Sequence, residues 1–559
     1  MACLTGTDTG ESSETVFPDT HELRQMNAAD VYVPKHLGDA RTCPLSHKWL
    51  AATAAEMANM QHMGVMVQVE RRDVPPGVVP LPMKMVYACK ALADGKIEKF
   101  KARWVAVGYF QKKGRDYDKT YAPVTNLMSV KTLLSIANRL DLTIFSTDVK
   151  AAFLQSELEE TIYVRFDGKV YRLYKTLYGL KQSAYMWNAD LDKELRGNHD
   201  MTQSRGDPCF YFRKNDDGLL LVVTWVDDLI CASTTNSIRD EFIKGFKYEF
   251  GSTQLEIQWV LKISIERAGE LLSLSQKAYI DAKAKLFGVT GSNPQYTPMI
   301  ADAKHYHKGQ CPEVGSDEYN EMAGVPYREL LGALLYAAEL RGDIAFAVNK
   351  LARFASNPGR VHWKALKRVL IYLYTTHDRR LVFGRTPDDD LDIDNPIAVY
   401  LDADHAGDRD TSRSTSGIII TVFGDVVYHK SKMQGKVANS TGAAELHAMA
   451  KALRIITPFR VIIEDIGFYQ KTIPFYSDSQ VAIDMIARGY LSSATKHLLI
   501  SFHSVLEAKQ AGDIDLNHVP GVKNPSDLLT KSLPRDGGHD KHTDFILADR
   551  GLEHLWTPS

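Results

Sequence analysis

Two sets of carboxylates in this sequence could do chemistry. The first centres on "TWVDD", where Asp227 and Asp228 interrupt the apolar, β-branched run from Leu219 to Ser233. Such a run reads as two short strands of a buried hairpin, with the acidic pair at or next to the turn. Ionised carboxylates among apolar strands are costly unless a cation sits between them. Asp148, ending the apolar strand "LTIFSTD", becomes a third member if these elements neighbour one another in one sheet. Three converging carboxylates suit two-metal phosphoryl transfer, in which Mg²⁺ ions about 4 Å apart activate the attacking oxygen and stabilise the leaving one. An acidic pair in a hairpin is by itself more often a surface turn, and the apolar flanks are what argue against that here. The second set is Asp402 after "IAVYL", Glu445 in "AAELHAMAKALR", Asp478 after "TIPFYS" and Asp527 after "NPS". Strand ends and helix starts let side chains from distant segments meet, but acids at such places also serve as caps.

The elements that must position these groups are mixed. "HKWLAATAAEMANM" reads as helix, and "MVYACKA" with "EKFKARWVAVGYF" as paired strands around the turn "ADGK". "SVKTLLSIANRLD" is a helix, and the strand holding Asp148 is expected to run into another. Helical segments fill the middle, from "YRELLGALLYAAELRGDIAFAVNKLARFA" to "HWKALKRVLIYLYTT", and the acidic stretch "RTPDDDLDIDNP" reads as a linker. The last unit reads strand, strand, strand, helix, strand, helix, then a short strand and helix. The fold class is therefore α/β (α+β), and 559 residues predict roughly two to four folded units. Residues 1–40 are polar and turn-rich and are expected to be a poorly ordered leader.

Hydrophobic residues at 44% and charged residues at 24% are ordinary globular values, and the net charge of −2 argues against a nucleic-acid partner only as a total. Between Lys84 and Lys119 basic residues outnumber acidic ones, which reads either as a solvated face or as a nucleic-acid contact. Six dispersed cysteines without a CxxC pair suit free thiols in a reducing compartment. No apolar run approaches the roughly 18 residues of a membrane span, and the polar, acidic N-terminus does not resemble a signal peptide. An intracellular, soluble protein is expected.

The residues also carry a resemblance. "WVDD" behind an apolar strand resembles the reverse-transcriptase hairpin usually written YVDD, and "DVKAAFL" resembles the first catalytic motif of copia-type LTR retrotransposon polymerases. "FKARWVAVGYFQKKGRDYDKTYAPV" and "LYKTLYGLKQSAYMW" stand in the family's order around them. In the last unit "YLDADHAGDRDTSRSTSG", "NSTGAAELHAM", "FYSDSQVAI" and "HVPGVKNPSDLLTK" resemble the ribonuclease H of the same elements. The likeness covers residues 45 to 535 or so, most of the chain.

What the resemblance implies is a right-hand polymerase with fingers and palm over residues 41–300, a helical thumb or connection over 301–390, a ribonuclease H-like mixed sheet with helices over 391–535, and a tail over 536–559. Asp148, Asp227 and Asp228 would bind metal in the polymerase site, and Asp402, Glu445, Asp478 and Asp527 in the hydrolytic one, with two Mg²⁺ ions at each and Mn²⁺ as a substitute. Asp402 is preferred to Asp404 because it directly follows the apolar strand. Lys101 and Arg103 would meet a triphosphate. Phe153 would form an aromatic wall beneath the sugar, and Tyr178, Gly179 and Gln182 would lie beside base and template, the glycine allowing close backbone approach. For both aromatic and charged candidates, core packing or an exposed strand face is the competing explanation. The implied partners are an RNA template, a DNA primer, an RNA–DNA hybrid and deoxynucleoside triphosphates, with no membrane. The implied location is intracellular, particle-associated in the cytoplasm with nuclear entry open. With no protease motif, zinc knuckle or integrase-like triad, the sequence looks like the C-terminal part of a retrotransposon polyprotein.

Several positions depart from the family. Lys262 stands where glycine is expected, Ala184 and Gly342 where proline is, Ala443 where a glutamate is, and Val522 where a loop histidine would fall; the segment "YVRFDGKVYRLYKTL" is short. His518 reads as strand. None of these removes a metal ligand. The leading expectation is an RNA-directed DNA polymerase with ribonuclease H activity. The alternatives are a decayed, nucleic-acid-binding relic, and an unrelated Mg²⁺ nuclease or phosphotransferase using only the last domain.

Overall fold

The computed structural model describes residues 26–91, 96–385, 395–491, 498–552 and 555. The first three residues of the "ADGK" turn, most of the acidic linker and residues 1–25 lie outside them. From residue 26 the expected leader carries structure: a 3₁₀ turn at Ala28–Asp30 and a helix at Leu37–Thr42, with Val31 and Ala40 buried.

The chain forms two compact units, Met1–Ala122 with Ala151–Asp190, and Pro123–Lys150 with Leu191–Ser559. The expected fingers-and-palm block thus divides between them. In the first unit the helix Ser46–His62 packs on the hairpin Leu81–Ala91 and Ile97–Ala106, with Trp49 edge-on to Phe100 at 4.6 Å. Alternation along the second strand buries Ala102, Trp104 and Ala106 and puts Lys101 and Arg103 on the opposite face. Met66–Val69, Glu157–Phe166 and Lys169–Lys175 complete a five-stranded sheet. The short segment of this region is closed by Asp167 and Gly168, both at positive φ, so two residues suffice to reverse the chain.

In the second unit a helix, α1 (Leu127–Arg139), covers a six-stranded sheet of β1 (Thr143–Val149), β2 (Thr202–Gln203), β3 (Phe210–Asn215), β4 (Gly218–Trp225), β5 (Asp228–Ser233) and β6 (Phe250–Gln254). The strand order is β6-β1-β5-β4-β3-β2. The expected helix after Asp148 is only a 3₁₀ turn, Ala152–Leu154, because Ala151 takes a left-handed φ of 51° and the chain re-enters a strand at Glu157. Helices Asp317–Ala323, Tyr327–Ala337, Ala345–Ala352 and Arg360–Thr375 form the connecting region.

The last part is a five-stranded sheet of β7 (Ile397–Ala403), β8 (Thr415–Val422), β9 (Asp425–Met433), β10 (Ile473–Ser477) and β11 (Ile514–His518), ordered β9-β8-β7-β10-β11. β7, β8 and β9 pair antiparallel, whereas β10 and β11 run parallel to β7. α2 (Thr441–Asp465) packs on β7 and β8. Among the described residues two helices, Gln480–Arg488 and Leu499–Gln510, lie between β10 and β11 where one was expected. Residues 536–559 do not read as a tail throughout: Asp540–Leu547 is a helix whose Ile546 and Leu547 are buried. Among the described residues no helix is long and apolar enough to cross a membrane.

Candidate active sites

The hairpin that holds "WVDD" is formed by β4 and β5, with Val226 at φ 61° and Asp227 in the two-residue turn. β5 also pairs with β1, and in that register Asp228 lies opposite Asp148. Directly opposed residues on antiparallel strands share a face, so the hairpin brings these two carboxylates side by side. The turn is tied in as well, since Val149 N–H donates to Asp227 O at 2.8 Å. Asp148 Oδ1 accepts from Ser252 Oγ at 2.5 Å, which turns that carboxylate toward β6. Asp227 is exposed and leaves the sheet at the turn. Asp148, Asp227 and Asp228 therefore lie on one sheet end without drawing their oxygens into a single tight group: the triad of the second set is the one close cluster among the described residues. Trp225, opposite Asp228, is half-buried against the core.

The second set is tighter. Ligand oxygens of Asp402, Asp478 and Asp527 lie within 4.8 Å of one another. Asp402 is on β7 and Asp478 follows the parallel neighbour β10, so adjacent strand ends deliver both. Asp527 sits on a 3₁₀ turn, Pro525–Leu529, rather than at the start of a helix. Asn524 holds that turn to the sheet, its Nδ2 donating to Leu401 O at 2.7 Å while its Oδ1 accepts from Ser526 N–H and Oγ–H. Gly417, opposite Asp402 on β8, makes the approach possible, because a Cβ there would meet Ser526 O at 2.7 Å. Glu445, 2% exposed on α2, underlies the cluster: its Oε1 accepts from Ala403 N–H at 3.0 Å and its Oε2 from Ser477 Oγ–H at 3.5 Å, one residue from Asp402 and from Asp478 respectively. Asp404 takes no part. Its carboxylate accepts from Thr415 N–H and orders the following turn.

Burial pushes Asp402 above the usual carboxylate range, against the pull of the Lys531 ammonium, and burial with Asp402 as neighbour does the same to Glu445. Asp478 is also raised, by burial and then by Asp527. Positive charge entering the set favours its ionised form, and four carboxylates offer the oxygen donors that Mg²⁺ and similar hard cations take.

The nucleotide-side candidates all fall in the first unit. Arg103 lies over the Tyr178 ring at 5.1 Å, and Phe153 meets the same ring edge-on at 6.0 Å. The Arg103 Nε is buried without a hydrogen-bond partner. Burial, with Arg103 beside it, lowers the Lys101 ammonium from its ordinary value. Gln182 departs from expectation. It is 2% exposed, its Nε2 donates to Asp116 O at 2.8 Å and its Oε1 accepts from Gln111 Nε2 at 2.9 Å, so it locks a loop instead of offering its amide to a base. Gly179, at φ 87°, is glycine because a Cβ would strike Ala106 O at 2.2 Å; the backbone it admits is the protein's own.

Residues 69–301 match the family model described as "Reverse transcriptase (RNA-dependent DNA polymerase)". This region is a reverse transcriptase domain. The domain contains Asp148, Asp227, Asp228 and all six nucleotide-side candidates. The chain is 33% identical over 519 residues to the retrovirus-related Pol polyprotein from transposon TNT 1-94 of Nicotiana tabacum, covering 90% of this chain and 38% of that protein. It is 29% identical over 477 residues to the corresponding polyprotein from transposon RE2 of Arabidopsis thaliana, covering 82% of this chain and 31% of that protein. The chain thus spans about a third of the length of these curated relatives. A foamy viral protease-reverse transcriptase solved with dsDNA aligns over 88% of both chains at 14% identity and a TM-score of 0.47, too loosely to place any residue.

Three side chains at these sites escaped the sequence reading. Ser252, Thr530 and Lys531 all touch a candidate carboxylate: Thr530 Oγ–H donates to Asp402 Oδ2, and Lys531 Nζ lies 2.9 Å from Asp527 Oδ1. For Lys531 a signal existed, since it stands four positions after Asp527 in "DLLTK". For Ser252 there was none, because a bulge sets its register on β6.

Proposed function

We propose that the chain is an RNA-directed DNA polymerase that also hydrolyses the RNA strand of an RNA–DNA hybrid. Its substrates would be a primed RNA template and deoxynucleoside triphosphates, and its origin a copia-type retrotransposon. The observation that carries the reading is the register of Asp148 opposite Asp228 inside the reverse transcriptase domain. Mg²⁺, with Mn²⁺ as a substitute and two ions per site, would activate the attacking oxygen and neutralise charge on the phosphate. Asp148, Asp227 and Asp228 would hold the ions for polymerisation, with Ser252 fixing the Asp148 carboxylate. Lys101 and Arg103 would bind the triphosphate of the incoming nucleotide, and Phe153 with Tyr178 would supply apolar surface to its sugar. At the hydrolytic site Asp402, Glu445, Asp478 and Asp527 would hold the cations, and hybrid recognition would rest on groove shape and 2′-hydroxyl contacts.

A relic that binds hybrid without turnover is the second reading, favoured by the strained Lys262 turn. Primer extension on poly(rA)/oligo(dT) with Mg²⁺ or Mn²⁺, alongside cleavage of a labelled hybrid, separates the two. Extension and cleavage are expected. Hybrid binding with neither activity would leave the relic standing.

A further inference from the structure

One cation is built into the hydrolytic carboxylate cluster. Lys531 N–H donates to Asp527 O at 3.1 Å, so the chain makes one helical turn between them and brings the lysine stem back beside the aspartate. Its Nζ lies 2.9 Å from Asp527 Oδ1 and 3.6 Å from Asp402 Oδ2. These are two of the three residues whose oxygens lie within 4.8 Å of one another. Asp402 is fixed, with Thr530 Oγ–H on the same Oδ2. The lysine side chain is not fixed in this way: 43% of it is exposed, so rotation of the stem can carry the ammonium into water without unpacking the core. A divalent cation taken up by Asp402 and Asp527 would need the oxygens the ammonium now reaches, and two cations that close repel strongly at a half-buried site.

We propose that Lys531 is a tethered counter-ion of this cluster, a positioning residue that holds Asp402 and Asp527 together and must yield their oxygens for a divalent cation to load. It thereby sets the cation concentration at which hybrid cleavage begins. The proposal rests on the hydrolytic reading above and adds a competitor to it.

The test titrates the full chain with Mn²⁺ and follows both the thermal denaturation midpoint and hybrid cleavage. The part of the midpoint response that Asp478→Asn removes reports this cluster. Lys531→Met keeps the aliphatic stem without the charge, and should lower half-saturating Mn²⁺ about tenfold in both readouts. Lys531→Arg keeps the charge and should stay within about threefold of wild type. Should the methionine variant fail to fold, Lys531→Gln takes its place with the same expectation. An unchanged or higher half-saturation on removing the charge overturns the proposal even where wild type binds Mn²⁺ normally. A wild-type chain with no response that Asp478→Asn removes overturns the metal-dependent reading and the proposal together.

Discussion

Lys262 holds a left-handed backbone, with φ 61°, in the turn between Trp259–Val260 and Ile263–Ala268, and its neighbour Leu261 has φ 49°. The sequence marked this position because a glycine is expected there, but the physical reason differs from close approach: the side chain is exposed, and the requirement lies in φ. A non-glycine residue in that region costs roughly 1–2 kcal/mol. Lys262→Gly is therefore expected to stabilise the chain by about 1 kcal/mol after the entropy of the unfolded glycine is counted, which urea denaturation would read as a higher midpoint. Ala443 is a gentler departure. It is buried in the first turn of α2, with its N–H on the capping Ser440 Oγ, and the glutamate expected there would have to be desolvated. Asp148, Asp402 and Asp478 were legible because each stands at or just after the end of an apolar strand, and Asp227 with Asp228 because they interrupt an apolar run. At Gln182 and Gly179 nothing in "LYGLKQ" distinguishes a group facing a ligand from one facing the protein's own loop.

At the scale of elements, α1 joins the six-stranded sheet to the last domain. Ser135 on α1 lies 3.1 Å from Val422 O and 2.7 Å from Asp425 Oδ2, yet its single hydroxyl proton can serve only one of them. A protonated Asp425 resolves this by donating to Ser135, which then donates to Val422 O, while Gly384 N–H is accepted by Oδ1. Burial raises the Asp425 carboxyl to about 7, with Arg139 as the charged group opposing the shift. The folded chain then holds a proton that the unfolded chain has already lost, so stability falls as pH rises from about 4 to about 7. Asp425→Asn removes that slope. Between pH 5 and pH 8 the wild-type midpoint in urea should drop relative to the variant, and parallel midpoints would contradict the assignment. Periodicity made the strands and helices themselves readable. Boundaries set by backbone conformation or by close packing were not: Ala151, at a left-handed φ, ends what looked like a helix start, and the expected helix at Asp527 is a 3₁₀ turn held to the sheet by Asn524 and packed against Gly417.

Across the second unit, a buried ionic network fastens the connecting helices to the end of the chain. Arg341 and Asp343 are 1% and 2% exposed and pair at 2.6 Å, Tyr372 OH donates to Asp343 Oδ2 at 2.5 Å, and Arg379 reaches Asp544 and Asp549. Arg341 holds Asp343 down at about 2 in spite of its burial. Asp343→Ala removes the charge partner of a buried guanidinium, and should cost about 3–5 kcal/mol, visible as a large fall in the denaturation midpoint; a loss within about 0.5 kcal/mol would contradict a stabilising role for the pair. The strand and helix pattern of the last unit was largely legible in the sequence, whereas the helix Asp540–Leu547 was not, since its few apolar residues gain meaning only from the core they meet. Two separate carboxylate sites in one chain are the central claim at this scale. The direct measurement is to assay primer extension and hybrid cleavage side by side for wild type, Asp227→Asn and Asp478→Asn. Asp227→Asn should lose extension and keep cleavage, and Asp478→Asn should do the reverse. Both activities lost together in each variant, or wild type and both variants behaving alike, would contradict it.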